Sequence, residues 1–317
     1  MNNSKALTQE ENRSRFSVAI TTKKFQELIN NTLKDPGRVQ RFIGAITSAV
    51  AVSPTLQTCN AGSILACALL GESLGLSPSP QLGQYYMIPF KQKEKKDRNG
   101  EIIVPADVKA QFVIGYKGYI QLAIRSGYYK KLNVIEIKRG ELIHFDPLNE
   151  IIDCIIIDDF EEREAAETIG YYAMFEYLNG FRKAIYWTKE KMVSHADKYS
   201  PAFWKDAADI KSNGKTYHRV SYADYEKGNY NKADEWMYSS FWYKNFDDMA
   251  KKTMIRQLIS KWGVMSTEMQ QAFDRDTTIS DIGQGGEIIS SEDDLDLPDS
   301  PEAPVSPPPE QVDLNAL

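Results

Sequence analysis

The sequence predicts an α+β protein with a helical N-terminal lobe, a mostly antiparallel sheet with a central helix, C-terminal helices and a disordered acidic tail. Apolar residues recur at helical spacing through residues 22–73. The β-patterned runs that follow are neighbours in sequence with short turn signals between them, which favours antiparallel pairing. From Asp274 onward the chain turns to Gly, Ser, Pro and acidic residues, a composition unable to bury enough apolar area to order itself.

Residues 1–21 are polar and unpatterned and read as a flexible arm. Helical periodicity starts near Thr22 and is interrupted by Asp35-Pro36-Gly37. It resumes with Val39, Phe42, Ile43, Ile46 and Val50 on one face, and Pro54 closes it. A third helix over residues 60–73 carries Ile64, Leu65, Ala68 and Leu69 and ends where Gly75 permits a left-handed stop. Residues 85–90 and 108–115 are β-rich. Residues 91–100 between them form a charged hairpin tip with an Asn-Gly turn signal. A helix over residues 117–126 precedes four further β-patterned runs, 131–138, 151–158, 170–177 and 182–187, the last two joined by Asn179-Gly180. Thr188 caps a short helix reaching Tyr199. Residues 211–239 are polar and weakly patterned, which predicts a long loop or loosely packed helices. The last strong helix covers residues 240–262, with Phe246, Met249, Ala250, Met254, Leu258 and Ile259 inward, and Gly263 ends it. The expected organisation is an arm (1–21), a core (22–273) with an insertion around 207–239, and a tail (274–317).

The net charge of −6 hides an uneven distribution. Residues 274–317 hold twelve acidic residues against one basic, so residues 1–273 carry an excess of five positive charges. A basic body of this kind is compatible with phosphate-binding grooves. No apolar run reaches the ~18 residues that a membrane span needs, and Met1-Asn2-Asn3-Ser4 begins no signal-peptide core; the expectation is a cytoplasmic protein with no membrane partner. Cys59, Cys67 and Cys154 form no Cys-x-x-Cys pair and read as buried thiols of a reducing compartment. His144, His195 and His218 lie too far apart for a helical metal pair. No cofactor and no metal are expected.

The stretch Gln111-Phe112-Val113-Ile114-Gly115-Tyr116-Lys117-Gly118-Tyr119-Ile120-Gln121-Leu122-Ala123-Ile124-Arg125 reads as a strand turning into a helix through two glycines three apart. Such glycines let backbone come close to a bulky ligand, and Tyr116, Lys117, Tyr119 and Arg125 set ring faces and positive charge beside them. That combination suits single-stranded nucleic acid. It equally suits a plain strand-to-helix turn with core tyrosines. This stretch resembles the signature of the RecT family of phage single-strand annealing proteins. Similarity continues in Leu74-Gly75-Leu76-Ser77-Pro78, in Gly83-Gln84-Tyr85-Tyr86-Met87-Ile88-Pro89-Phe90 and in Asp248-Met249-Ala250-Lys251-Lys252-Thr253-Met254-Ile255-Arg256, and covers about residues 24–272.

The resemblance implies a non-enzymatic protein of a bacterial host cell that coats single-stranded DNA as a ring or helical-filament homo-oligomer. Such a protein anneals complementary strands into duplex without nucleotide hydrolysis, with an exonuclease or the host single-strand-binding protein as partner. Lys252 and Arg256, four residues apart on one helix face with Lys251 beside them, are expected to form a ridge that meets phosphates. Lys91, with Lys93, Lys95, Lys96 and Arg98, makes the hairpin tip either a DNA clamp or an exposed loop.

Two enzymatic readings are weighed against this. Gly214-Lys215-Thr216 ends like a P-loop, but the glycine needed five residues before Gly214 is replaced by Asp209 and no apolar strand leads in, so ATP binding is rejected. Asp107-Val108-Lys109 and Glu136-Ile137-Lys138 have the form of a metal-dependent nuclease element, although strand alternation produces such triplets by chance. A third reading is a protein that protects single strands without annealing them. In the tail, the acidic run Glu292-Asp293-Asp294-Leu295-Asp296 either only solubilises or competes with DNA for the basic groove, while Val312-Asp313-Leu314-Asn315-Ala316-Leu317 docks on a partner.

Overall fold

Pro36 opens a helix because its fixed φ suits the first turn, and Asp35 caps it by accepting from the Arg38 N–H. This helix, α2 (Pro36–Ala51), follows α1 (Lys23–Leu33) and buries Val39, Phe42, Ile46 and Val50. A computed structural model of the chain describes residues 16–92, 94–96, 102–104, 106–212, 215–282 and 287–291. Residues 16–20 are helical and bury Phe16 and Ile20, so the arm expected over 1–21 gives way to folded chain by Phe16; residues 1–15 lie outside the described residues. Asn60 caps α3 (Ala61–Ser73), accepting from the Gly62 N–H. Ile64, Leu65, Ala66, Cys67 and Ala68 are all buried on α3, because the helix is covered all round rather than on one stripe.

The chain then forms β1 (Tyr85–Gln92), β2 (Lys95–Lys96), β3 (Ile102–Val104) and β4 (Asp107–Ile114). β1 pairs antiparallel with β4 from Tyr85↔Ile114 to Gln92↔Asp107. The Asn99-Gly100 turn lies outside the described residues. Helix α4 (Tyr116–Arg125) leads to β5 (Tyr129–Lys138), the hairpin β6 (Leu142–Asp146) and β7 (Ile151–Cys154), α5 (Phe160–Ala165), β8 (Thr168–Tyr177) and β9 (Arg182–Thr188). β5, β8 and β9 make an antiparallel sheet in that order, with the β8–β9 turn at Asn179-Gly180. The run expected to be strand to Asp158 stops at Cys154: Ile155 and Ile157 instead give their N–H groups to the Glu141 carbonyl and carboxylate.

Helix α6 (Lys189–Tyr199) is followed by the hairpin β10 (Ala208–Ser212) and β11 (Lys215–Arg219), α7 (Tyr222–Glu226), a 3-10 helix (Lys232–Tyr238) and α8 (Phe241–Lys244). Residues 211–239 are therefore not a loop. Their tyrosines form a local core in the compact unit Val193–Lys244, with Phe203, Tyr222, Tyr238 and Tyr243 buried and packed ring on ring.

The other unit closes with α9 (Phe246–Trp262), α10 (Thr267–Arg275), β12 (Ile279–Ile282) and β13 (Ile288–Ser291). The helix expected over residues 240–262 is broken at Asn245, whose φ of −139° and ψ of 54° are not helical. α9 packs on the β5-β8-β9 sheet and on α4. β12 joins β4 and β13, giving the order β1-β4-β12-β13. The boundary expected at Asp274 thus falls inside folded chain, since Asp276 and Ile279 are buried. Residues 292–317, with the acidic run and the apolar tip, lie outside the described residues. Among the described residues no helix is long and apolar enough to cross a membrane.

Candidate nucleic-acid interface

The turn from β4 into α4 works because Gly115 and Gly118 lack side chains. A Cβ on Gly115 would stand 2.2 Å from the Gly83 carbonyl oxygen, and one on Gly118 2.1 Å from that of Gln84. Both glycines therefore admit the chain's own backbone at residues 83–84, where the sequence suggested room for a ligand.

Tyr119 and Arg125 serve this junction from within. Tyr119 is fully buried, its ring edge-on to Phe273 at 5.0 Å, so it presents no face for stacking. Arg125 is an exposed residue, but it gives Nη1 to the Gly75 carbonyl at 3.3 Å and Nη2 to that of Leu74. It caps the end of α3, where carbonyls lack helical partners.

Lys252 and Arg256 do not form an outward ridge. Helix α9 turns them toward Asp276, which lies beyond α10 and is 4% exposed. Lys252 Nζ lies 2.8 Å from Asp276 Oδ2, and Arg256 Nη1 lies 2.6 Å from the same oxygen and 2.9 Å from the Tyr119 hydroxyl. Tyr119 donates to Asp276 Oδ2 at 3.0 Å, and the Ile114 N–H donates to Oδ1 at 2.9 Å. Two cations, a hydroxyl and a backbone N–H thus converge on one buried carboxylate. Burial alone would raise the Asp276 carboxyl, and Lys252 and Arg256 more than reverse this, holding it below its usual range. The segment after it is clamped to β4: Thr277, at φ 70°, donates its N–H to Phe112 O at 2.8 Å, and Gln111 Nε2 reaches Thr277 O at 2.6 Å.

Three of the remaining predicted residues, Tyr116, Lys117 and Lys251, do come together. Lys117 is exposed and Tyr116 half-buried. The Lys251 ammonium sits 4.9 Å from the centre of the Tyr116 ring and Lys117 Nζ 5.9 Å from it. Lys251 also meets Asp248 Oδ1 at 3.1 Å and Glu136 Oε2 at 3.6 Å. Burial works against its charge, but Glu136, Tyr116 and Asp248 keep it protonated above its ordinary value. A Cβ on Gly83 would meet the Tyr86 hydroxyl and the Lys117 chain, so Tyr86 borders the same patch. Tyr86, Tyr116 and the exposed Lys117 thus present ring surface and an ammonium group, a combination that suits bases and phosphates, while the Lys251 ammonium backs the Tyr116 ring with its side chain only 14% exposed and paired with two carboxylates. Lys91 is exposed on β1 opposite Val108. Lys93 and Arg98 lie outside the described residues, as do the side chains of Lys95 and Lys96.

The two nuclease-like triplets stand on different sheets. Lys109 meets Asp281 Oδ2 at 3.1 Å and Asp107 accepts from Asn60. Lys138 is buried against the Thr168 hydroxyl at 3.1 Å, while Glu136 faces Lys251. Among the described residues, no three His, Cys, Asp or Glu side chains gather where a metal would sit. Gly214 lies outside the described residues, and Lys215 opens strand β11. Sequence reasoning missed Asp276 and Tyr86. The first sits in a stretch that reads as tail, and the second belongs to a block whose alternation marks only a strand.

A model of the RecT family matches residues 40–287. The uncharacterized protein YqaK of Bacillus subtilis (strain 168) is 33% identical over 284 residues, spanning 87% of this chain and 78% of that relative. Protein RecT of Escherichia coli (strain K12) is 24% identical over 237 residues, spanning 75% of this chain and 71% of that relative.

Proposed function

This chain belongs to the RecT family, and from that premise we propose that it binds single-stranded DNA and anneals complementary strands in phage-type homologous recombination, without nucleotide hydrolysis. Beyond the family, the observation that carries this reading is the patch where Tyr86 and Tyr116 adjoin Lys117 and Lys251. Phosphates repel one another, and a surface that neutralises them lowers the barrier to pairing. Rings that stack on any base keep the contact blind to sequence. In this reading Lys117, Lys251, Tyr116 and Lys91 touch DNA. Lys252, Arg256, Tyr119 and Arg125 position that surface, because each is tied to Asp276 or to the end of α3. Copies of the chain in a ring or filament would repeat the patch along a strand.

Salt dependence tests the assignment. Lys117→Ala and Lys251→Ala together are expected to weaken binding to any single strand and to lower the logarithmic salt slope by about 0.7 per lost phosphate contact. A folded double variant with an unchanged slope refutes the patch as a phosphate site.

A further inference from the structure

A second group of cations and rings lies where β9 meets the end of α9. In the β8–β9 pairing Tyr171 stands opposite Trp187 and Phe175 opposite Lys183. Tyr171 donates to Asp247 of α9 at 2.6 Å, so by strand alternation Trp187 and Lys183 share the face that carries α9. Lys261 and Trp262 close that helix. Lys183 Nζ lies 4.2 Å from the centre of the Trp262 ring, Lys261 Nζ 5.9 Å from the same ring, and Lys191 Nζ 4.4 Å from the Trp187 ring.

Charge in this group is only partly compensated among the described residues. Lys183 is paired with Glu150, but among the described residues neither Lys191 nor Lys261 has a carboxylate partner. Both are exposed, as is Trp262 at 39%. The Lys191 ammonium is pushed below its ordinary value, first by burial and then by Lys261. Like charges gathered beside exposed ring surface are relieved by a polyanion that also offers flat groups, which is the chemistry of single-stranded nucleic acid.

We propose that Lys191, Lys261, Trp187 and Trp262 form a second single-strand subsite, which holds the complementary strand while the first strand occupies the patch around Tyr116. The inference rests on the annealing function proposed above. Lys251 and Lys261 are ten residues apart on α9, about 15 Å along its axis. That spacing exceeds the screening length of about 8 Å at physiological salt, so two phosphate backbones can be held on one subunit with their mutual repulsion damped.

The test uses the full chain carrying Lys191→Glu with Lys261→Glu, and separately Lys191→Gln with Lys261→Gln, each checked for folding by circular dichroism. A labelled strand is bound first, its affinity is measured, and the annealing rate is then followed as the unlabelled complement is added. Charge reversal is expected to leave first-strand affinity within about threefold and to slow annealing about tenfold or more, with the salt slope of the second step lowered by about 0.7 per lost contact. The glutamine pair should show the same order of effects at smaller size. Trp262→Ala should slow the second step while Trp262→Phe restores it. An unchanged annealing rate in folded variants overturns the subsite, as does an equal loss in first-strand affinity, which would place these residues on the first strand's path. A wild-type chain that fails to anneal overturns the underlying function as well, and that control separates the two failures.

Discussion

Asp276→Asn removes one negative charge from a buried site and changes little else in shape. In the wild type, Asp276 is 4% exposed and compensates both Lys252 at 2.8 Å and Arg256 at 2.6 Å. Asparagine can still accept from the Ile114 N–H, but it leaves two cations facing each other without a counter-charge. Removing one partner of a buried ion pair costs about 3–5 kcal/mol, which for a chain of this length lowers the melting temperature by about 5–8 °C. Thermal and urea denaturation followed by circular dichroism at pH 7 measures it. The pH dependence supplies a second check. Lys252 and Arg256 hold the folded Asp276 carboxyl below its usual range. Its contribution is therefore fully present above the unfolded value of about 3.9 and is lost as pH falls through the lower folded value. The stability gap between wild type and variant should be widest near neutrality and close in strong acid. A gap under about 1 kcal/mol at pH 7, smaller than an ordinary point-mutant effect, would refute the buried ion cluster as a structural centre.

Tyr119→Phe removes the hydroxyl that donates to Asp276 and accepts from Arg256; a loss of about 1–3 kcal/mol in denaturation is expected, and none would mean that the hydroxyl is unimportant. Gly118→Ala drives a methyl toward the Gln84 carbonyl and should cost about 1–3 kcal/mol, with a stable variant contradicting the close approach of the two segments. Truncation after Ser291 keeps Asp276 and β12 and should leave the melting temperature unchanged, whereas truncation after Phe273 removes both and should unfold the protein. If the acidic residues after Ser291 compete with DNA, the shorter chain binds single strands more tightly at low salt and equally at high salt; equal affinity at low salt disposes of that competition.

Local patterning made much of the fold legible. Val39, Phe42, Ile46 and Val50 show α2 by spacing, Asn179-Gly180 marks the β8–β9 turn, and Asp35-Pro36 marks the start of a helix. Two of the failures share one cause, which is that the deciding partner lies far away in sequence. Residues 274–282 are polar and read as tail, yet Asp276 is drawn inside by Lys252, Arg256, Tyr119 and Ile114, up to 162 residues away. For the same reason Lys252 and Arg256 read as a solvent ridge: the carboxylate that draws them inward, Asp276, lies 24 and 20 residues further along, and only the folded chain brings it to them. Tyr116, Lys117 and Lys251 are legible as candidates because a glycine turn and a lysine pair are local signals, and the structure sets the three side by side. Gly115 and Gly118 were found for a different reason than the one they serve. The tyrosines of residues 211–239 escaped because they pack from elements too short to show a period.

The most direct test of the account is annealing itself. Two complementary oligonucleotides are mixed with the full chain in the absence of ATP, duplex formation is timed, and a parallel sample receives magnesium or manganese. The account predicts duplex formation faster than without protein, slowed by Lys117→Ala with Lys251→Ala, and intact strands in every sample. No acceleration by a folded protein that binds single strands would leave only strand protection, and metal-dependent cleavage would contradict the non-enzymatic reading outright.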